Sequence, residues 1–300
     1  MNFEAEPKGY FDLSNTNQYF GGWLTSSEDD RAVVMAFPVE GWQTSAAVVL
    51  RQEDTQNIVG QVNCADQYSQ AAWRQALAAL SLDYDGTGWG AVGKRDPLIR
   101  RLQATYKLLR PVLFHSPYEA AAAFVIGHRL SIRQGRAIRQ AMARELGDGV
   151  RVGNEVFHAF PRPQVLRKIT RIQGVSPTKI PRLHGIAEAA LEGWLDRAAL
   201  RSMPVDEALE RLLSLKGIGG FFSQGILYRG AGLADAVTDD EVTRHAFQRA
   251  FDLPGLPDRE TVLSLADPWR PFRMWATVLL HVWFRREEGG PQRPSRRSRA

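Results

Sequence analysis

The tightest constraint on this chain is a corner. Residues 206–215 (DEALERLLSL) and 221–231 (FFSQGILYRGA) both carry helical patterns, and only Lys216, Gly217, Ile218, Gly219 and Gly220 separate them. The glycines admit left-handed or tight backbone angles, and Ile218 is an apolar side chain suited to burial under the turn. A helical hairpin over about residues 206–228 follows. The first amides of its second helix have no intrahelical acceptors and point outward. Reinforced by the helix dipole, they form a binding place for a phosphate. Contacts of that kind hold a sugar–phosphate strand without reading its bases. An ordinary packing corner with a glycine cap has the same pattern, so the motif alone does not decide.

The rest of the chain falls into two zones. Residues 33–37 (VVMAF), 46–51 (AAVVLR) and 57–62 (NIVGQV) are short apolar runs broken by Pro, Gly and polar residues, the pattern of antiparallel strands. A helix from Tyr68 (YSQAAWRQALAAL) packs on them, and the Gly/Asp-rich stretch 82–96 reads as a linker. From there the pattern is helical throughout. Ser116, Pro117 and Glu119 form a helix start with a capping box, Ser131 and Gln134 repeat it, and Gly147 ends that second helix. The expected class is α+β: an N-terminal antiparallel-sheet α+β domain over residues 1–85, a mostly helical body over 86–288, and a disordered basic tail over 289–300 (GGPQRPSRRSRA in full).

Composition narrows the chemistry. With 44% hydrophobic residues a sizeable core forms, and no apolar run reaches the length of a membrane span. The start, MNFEAEPKGYFDL, lacks the basic-then-apolar order of a signal peptide, which points to the cytoplasm. A lone cysteine, Cys64, rules out an internal disulfide and a four-cysteine cluster, and the six histidines show no metal-binding spacing, so no transition metal is expected. The net charge of +5 leans toward a polyanionic partner.

Downstream of the hairpin, Asp239 and Asp240 precede EVTRHAFQRAF and so stand at a helix N-terminus. The dipole there favours an ionised carboxylate. Such a group can stabilise positive charge that develops in a transition state and orient or deprotonate water. It is also where aspartate serves as a plain helix cap.

The segments LxGIGxFxxQxIL, ADAVTDDEVTRHAF and DPWRPFRMWATVLLHVW, in this order, resemble the helix-hairpin-helix DNA glycosylases, the bacterial 3-methyladenine DNA glycosylase II group above all. The resemblance implies a two-lobed helical body with the active site between the lobes. It also implies double-stranded DNA containing a damaged base as the partner, and hydrolysis of the N-glycosidic bond of an alkylated purine flipped from the duplex. The acidic pair of that family maps its catalytic member onto Asp240, with Asp239 as cap and support; a gap-free count from the hairpin selects Asp239 instead. Phe221 stands where lyase members carry a nucleophilic lysine, which implies a water-using enzyme. Phe221, Phe222, Trp275 and Trp283 are candidates for a base pocket, although the two tryptophans, eight apart, also suit a helical core. His128, Arg129 and Leu130 match the loop that wedges into the vacated stack, with Arg129 at the intercalating position. The carbonyls of Lys216, Gly217 and Ile218 match a monovalent-cation site beside the phosphate, and no other cofactor is implied. Arg270 and Arg273 are expected to face the cleft or phosphates, and Arg244 to pair with Asp240. A monomer is expected, because a duplex must enter the cleft unobstructed. Two other readings remain: a non-catalytic DNA-binding relative, and a glycosylase for deaminated or oxidised bases.

Overall fold

The computed structural model describes residues 1–20, 25–26, 32–53 and 57–286. The predicted basic tail, 289–300, lies outside the described residues. Five strands make one sheet: β1 (Asn2–Ala5), β2 (Thr25–Ser26), β3 (Ala32–Pro38), β4 (Ser45–Gln52) and β5 (Ile58–Asn63). Their order is β1-β5-β4-β3-β2, antiparallel throughout. The three strands expected from sequence are β3, β4 and β5. Their register sets Val33 opposite Leu50, Met35 opposite Val48 and Phe37 opposite Ala46. These side chains share one face and are buried with Ile58 and Val62. After α1 (Leu13–Phe20), α2 (Asp66–Ala79) packs on that face. The Trp73 ring lies on Gly60, where a Cβ would stand 2.2 Å from it, so the strand needs a residue without a side chain there.

The helical body follows as α3 (Trp89–Arg95), α4 (Pro97–Thr105), α5 (Pro117–Gly127), α6 (Ile132–Leu146), β6 (Gly149–Val152), β7 (Glu155–His158), α7 (Pro163–Leu166), α8 (Ile180–Leu191), α9 (Arg197–Ser202), α10 (Val205–Leu213), α11 (Gly220–Gly225), α12 (Glu241–Ala250), α13 (Arg259–Leu265) and α14 (Arg273–Arg286). One continuous core joins Trp89, Tyr118, Phe247, Trp269 and Trp275. Among the described residues no helix is long and apolar enough to cross a membrane.

Three local expectations are corrected. The stretch 82–96 is not simply a linker, because its second half is α3 and Trp89 is fully buried. The body is not purely helical, since β6 and β7 form a hairpin lying against β3 and β4. There Asp148 accepts from the Ser45 hydroxyl at 2.7 Å and pairs with Arg162 at 2.8 Å. Ser116 does cap α5, but Glu119 does not complete the box; its carboxylate meets His115 Nδ1 at 3.0 Å. At α6 the Ser131–Gln134 box is complete.

Arg110 joins the sheet module to the helical body. It is 1% exposed, donates from Nε to the Tyr10 carbonyl at 3.0 Å, from Nη1 to that of Ser81 at 3.3 Å and from Nη2 to that of Lys8, and lies over the Trp275 ring. Burial, opposed by Asp85, pushes its pKa down to about 10, so it is charged at neutral pH.

Candidate active site

The corner forms as the glycines require. The Ile218 amide donates to the Leu215 carbonyl at 3.0 Å, Ile218 is buried, and Gly217 takes a φ of 91°. A Cβ at Gly217 would stand 2.5 Å from Arg182 Cδ, so both backbone angle and space select glycine. Gly219 opens α11 without a side-chain cap, and no other segment comes within 4 Å of a Cβ at Gly219 or Gly220. The first amides of α11 are therefore uncapped and open to approach. Lys216 is exposed beside them. The second helix is not uniform: α11 passes at Ile226 into a π-helical turn that runs to Ala231.

The two aspartates have different surroundings. Asp240, not Asp239, is the cap of α12: the Val242 and Thr243 amides donate to its Oδ1 at 2.9 and 3.1 Å. The Thr243 hydroxyl donates to Oδ2 at 2.8 Å. Burial alone would raise the Asp240 pKa, but His281, the Thr238 and Thr243 hydroxyls and the Thr243 amide hold it below the ordinary 3.8. Asp239 caps nothing. Its Oδ1 accepts from Gln224 Nε2 at 3.2 Å, which ties the acidic pair to α11. Arg244, expected on Asp240, instead donates from Nε to the Asp239 carbonyl at 2.9 Å and pairs with its carboxylate at 3.4 Å.

Behind Asp240 lies a wired hydroxyl. Burial, helped by Arg285 and Arg229 and opposed by Asp240, pushes the His281 pKa down to about 4, so the ring is neutral at pH 7. Thr243 Oγ1 stands 3.0 Å from His281 Nε2 and 2.6 Å from Thr238 Oγ1. A threonine hydroxyl has one proton, and Asp240 takes it. His281 must then present Nε2–H to Thr243, which fixes its tautomer. The linkage has a definite sign. Between about pH 6.5 and 4 the unfolded chain binds a proton at His281 that the folded chain refuses, so stability falls as pH falls through that window. Below about 3.8 the loss of the Asp240 carboxylate destabilises further. Acid titration followed by circular dichroism is expected to show the first loss in the native chain and a reduced one in His281→Gln.

A run of aromatic rings connects the hairpin to the turn after α5. Phe124 lies 5.9 Å from Phe221 and 5.2 Å from Phe222, and Phe222 meets His128 edge-on at 5.7 Å. Phe221 is 47% exposed, an open ring beside the hairpin amides. In the turn itself Arg129 is exposed at the tip with a φ of 61°, and Leu130 is half-buried. His128, grouped with the wedge from sequence, faces inward to Phe222.

Other candidates are corrected. Trp275 is 1% exposed, enclosed by Tyr84, Trp89 and Phe272, and belongs to the core. Trp283 is also buried in that core, so neither ring offers a face to a base in this conformation. Arg270 and Arg273 do not reach out for phosphate; both grip Asp235, at 2.8 and 2.6 Å. A surface cavity of about 540 Å³ lies beside them, lined by Leu263, Asp267 and Arg270 and by neither aspartate of the pair.

No family model matches the chain. A DNA-3-methyladenine glycosylase of Bacillus subtilis is 22% identical over 206 residues, 67% of this chain and 68% of that protein. A 3-methyladenine DNA-glycosylase from Archaeoglobus fulgidus superposes with a TM-score of 0.79 at 20% identity, over 94% of this chain and 98% of that one. The chain has the fold of the helix-hairpin-helix DNA glycosylases. A Clostridium acetobutylicum 8-oxoguanine glycosylase/lyase solved with double-stranded DNA shares that fold, with a TM-score of 0.70 at 15% identity over 94% of this chain and 97% of that one.

Within this helix-hairpin-helix fold, no cluster of three His, Cys, Asp or Glu side chains suited to a metal occurs among the described residues. The carbonyls of Lys216, Gly217 and Ile218 accept none of the turn and loop amide bonds formed there. They are hard oxygen donors of the type that suits sodium or potassium. Phe124, Gln224, Thr243 and His281 were not found from sequence. Phe124 sits in an apolar run like any core residue, Gln224 and His281 meet partners 15 and 38 residues away, and Thr243 reads as an ordinary helix residue until its hydroxyl is seen between Asp240 and His281.

Proposed function

We propose that the chain is a monofunctional DNA glycosylase. It extrudes an alkylated purine of the 3-methyladenine or 7-methylguanine type from double-stranded DNA and hydrolyses the N-glycosidic bond. The observation that carries this reading is the Asp240 carboxylate: ionised, fixed by three hydrogen bonds, without an arginine or lysine in an ion pair among the described residues, and connected through Asp239 and Gln224 to the hairpin. Negative charge held by hydrogen bonds and not by a direct ion pair, on a segment tied to the phosphate-binding corner, opposes simple DNA binding but stabilises a sugar cation. The alkylated base leaves readily because it already carries positive charge. Asp240 stabilises the oxocarbenium ion at C1′, water adds there, and its proton passes to the carboxylate or solvent. The exposed Phe221 ring, backed by Phe124 and Phe222, supplies stacking and cation–π attraction worth roughly 0.5–2 kcal/mol per contact. The hairpin amides and Lys216 hold the strand, and a sodium or potassium ion would fit at the Lys216, Gly217 and Ile218 carbonyls. The protein acts as a monomer.

Asp240 is preferred over Asp239 because Arg244 offsets the Asp239 charge, whereas hydrogen bonds alone fix Asp240. With Phe221 in place of an amine, no Schiff base forms at C1′. The test is incubation of purified protein with methylated calf-thymus DNA. Free methylpurines are expected, with strands intact until base is added. Strand nicking without base would contradict the water-using mechanism, and release of oxidised or deaminated bases alone would replace the alkylation reading.

A further inference from the structure

We propose that Lys179 is a positioning residue for base extrusion: its ammonium fixes the wedge turn His128–Leu130 relative to the helical hairpin. The proposal rests on the glycosylase reading above. The last carbonyls of α5 have no intrahelical donors. Lys179 Nζ donates to two carbonyls there, Ile126 and His128, each at 2.8 Å. The Leu130 amide closes the same turn on the Gly127 carbonyl at 2.9 Å. Between these bonds Arg129 is held at a φ of 61°, a left-handed angle disfavoured for a residue with a Cβ. The bonds on either side maintain that angle and keep Arg129 at the exposed tip.

The same stretch reaches the hairpin. Three residues after Lys179, the stem of Arg182 covers Gly217. The start of α8 is itself anchored, since Ile180 and Leu183 are buried and His184 Nε2 bonds the Ile169 carbonyl at 2.8 Å. One rigid turn therefore touches both the corner that grips the strand and the turn that enters the stack. A lysine suits this place because its ammonium presents three donors from one atom to converging carbonyls. Burial and then Arg182 lower the Lys179 pKa; the carbonyls hold the cation there against both. A wedge whose distance from the strand grip is fixed fills the gap left by the flipped base, whereas a loose one lets it return.

The decisive experiment compares Lys179→Met with wild type on two duplexes. Each carries a single 7-methylguanine, opposite cytosine in one and opposite a tetrahydrofuran abasic analogue in the other, where unpairing costs little. Single-turnover release is expected to fall about tenfold or more on the paired duplex and less than about threefold on the unpaired one. In an Arg129→Ala background, Lys179→Met is expected to add no further loss. If Lys179→Met fails to fold, Lys179→Gln, which keeps one donor, is measured in the same way. Equal losses on both duplexes, no loss on either, or full additivity with Arg129→Ala would overturn the proposal while leaving the glycosylase reading intact. A wild-type protein that releases no base from either duplex would overturn both.

Discussion

Asp240→Asn is expected to lower methylpurine release by roughly 10²- to 10³-fold, the usual effect of removing one preorganised electrostatic group from an active site. The substitution is informative because asparagine caps helices about as well as aspartate. The amides of Val242 and Thr243 keep an acceptor, so α12 stays formed while the charge and the Thr243 hydroxyl's bond to Oδ2 are lost. Asp240→Ala removes charge and cap together, and adds a stability loss of about 1 kcal/mol. The contrast separates the two functions of one side chain. Asp239→Asn keeps the Gln224 contact and is expected to cost far less. If Asp239→Asn abolished release and Asp240→Asn did not, the two residues would exchange roles. Duplex binding by Asp240→Asn, measured by fluorescence anisotropy, is expected to remain, since the hairpin amides are untouched.

The largest expected loss of stability comes from Arg110→Met. Methionine fills much of the same volume against Trp275 but donates nothing, so the buried Ser81 carbonyl and the partly buried Tyr10 carbonyl lose their charged donor, and the Lys8 carbonyl keeps only the Gly86 amide. A buried acceptor left without a charged donor costs about 1–3 kcal/mol, and with the smaller losses at the two partly buried carbonyls a total of roughly 2–4 kcal/mol is expected. A melt followed by circular dichroism is expected to drop by roughly 10 °C. Because Arg110 holds the N-terminal segment and Ser81 to the helical body, the loss is expected first as increased proteolysis around residues 8–10 and 81–86. An unchanged melting temperature would show that the modules are held together elsewhere.

Much of this architecture was legible in the residues because local and tertiary preferences agree there. The apolar runs of β3, β4 and β5, the Ser131–Gln134 box and the glycine corner at Gly217 each carry their own instructions. The misreadings have a common cause. In Trp89–Arg95 the glycines suggest a linker, yet Gly93 is there for close packing: a Cβ would meet Gln103 Oε1 at 2.4 Å. The β6–β7 hairpin has few buried side chains, so its alternation carries little hydrophobic contrast. Arg270 and Arg273 look like phosphate ligands until Asp235, 35 and 38 residues earlier, is brought beneath them. At the site, the acidic pair was visible, but which member caps and which meets Arg244 depends on backbone geometry at a single residue. Lys179 had no signal at all, since its partners are backbone carbonyls that a sequence does not display.

The account stands on the Asp240 carboxylate meeting positive charge on the sugar of a nucleotide gripped by the hairpin. The most direct test is the Kd for two duplexes that differ only at one site: one carries a cationic pyrrolidine in place of the sugar, the other a neutral tetrahydrofuran. Wild-type protein is expected to bind the cationic duplex at least about tenfold more tightly, and Asp240→Asn to lose that preference while keeping its affinity for the neutral one. Equal binding of both duplexes by the wild type, or a preference that survives in Asp240→Asn, would contradict it.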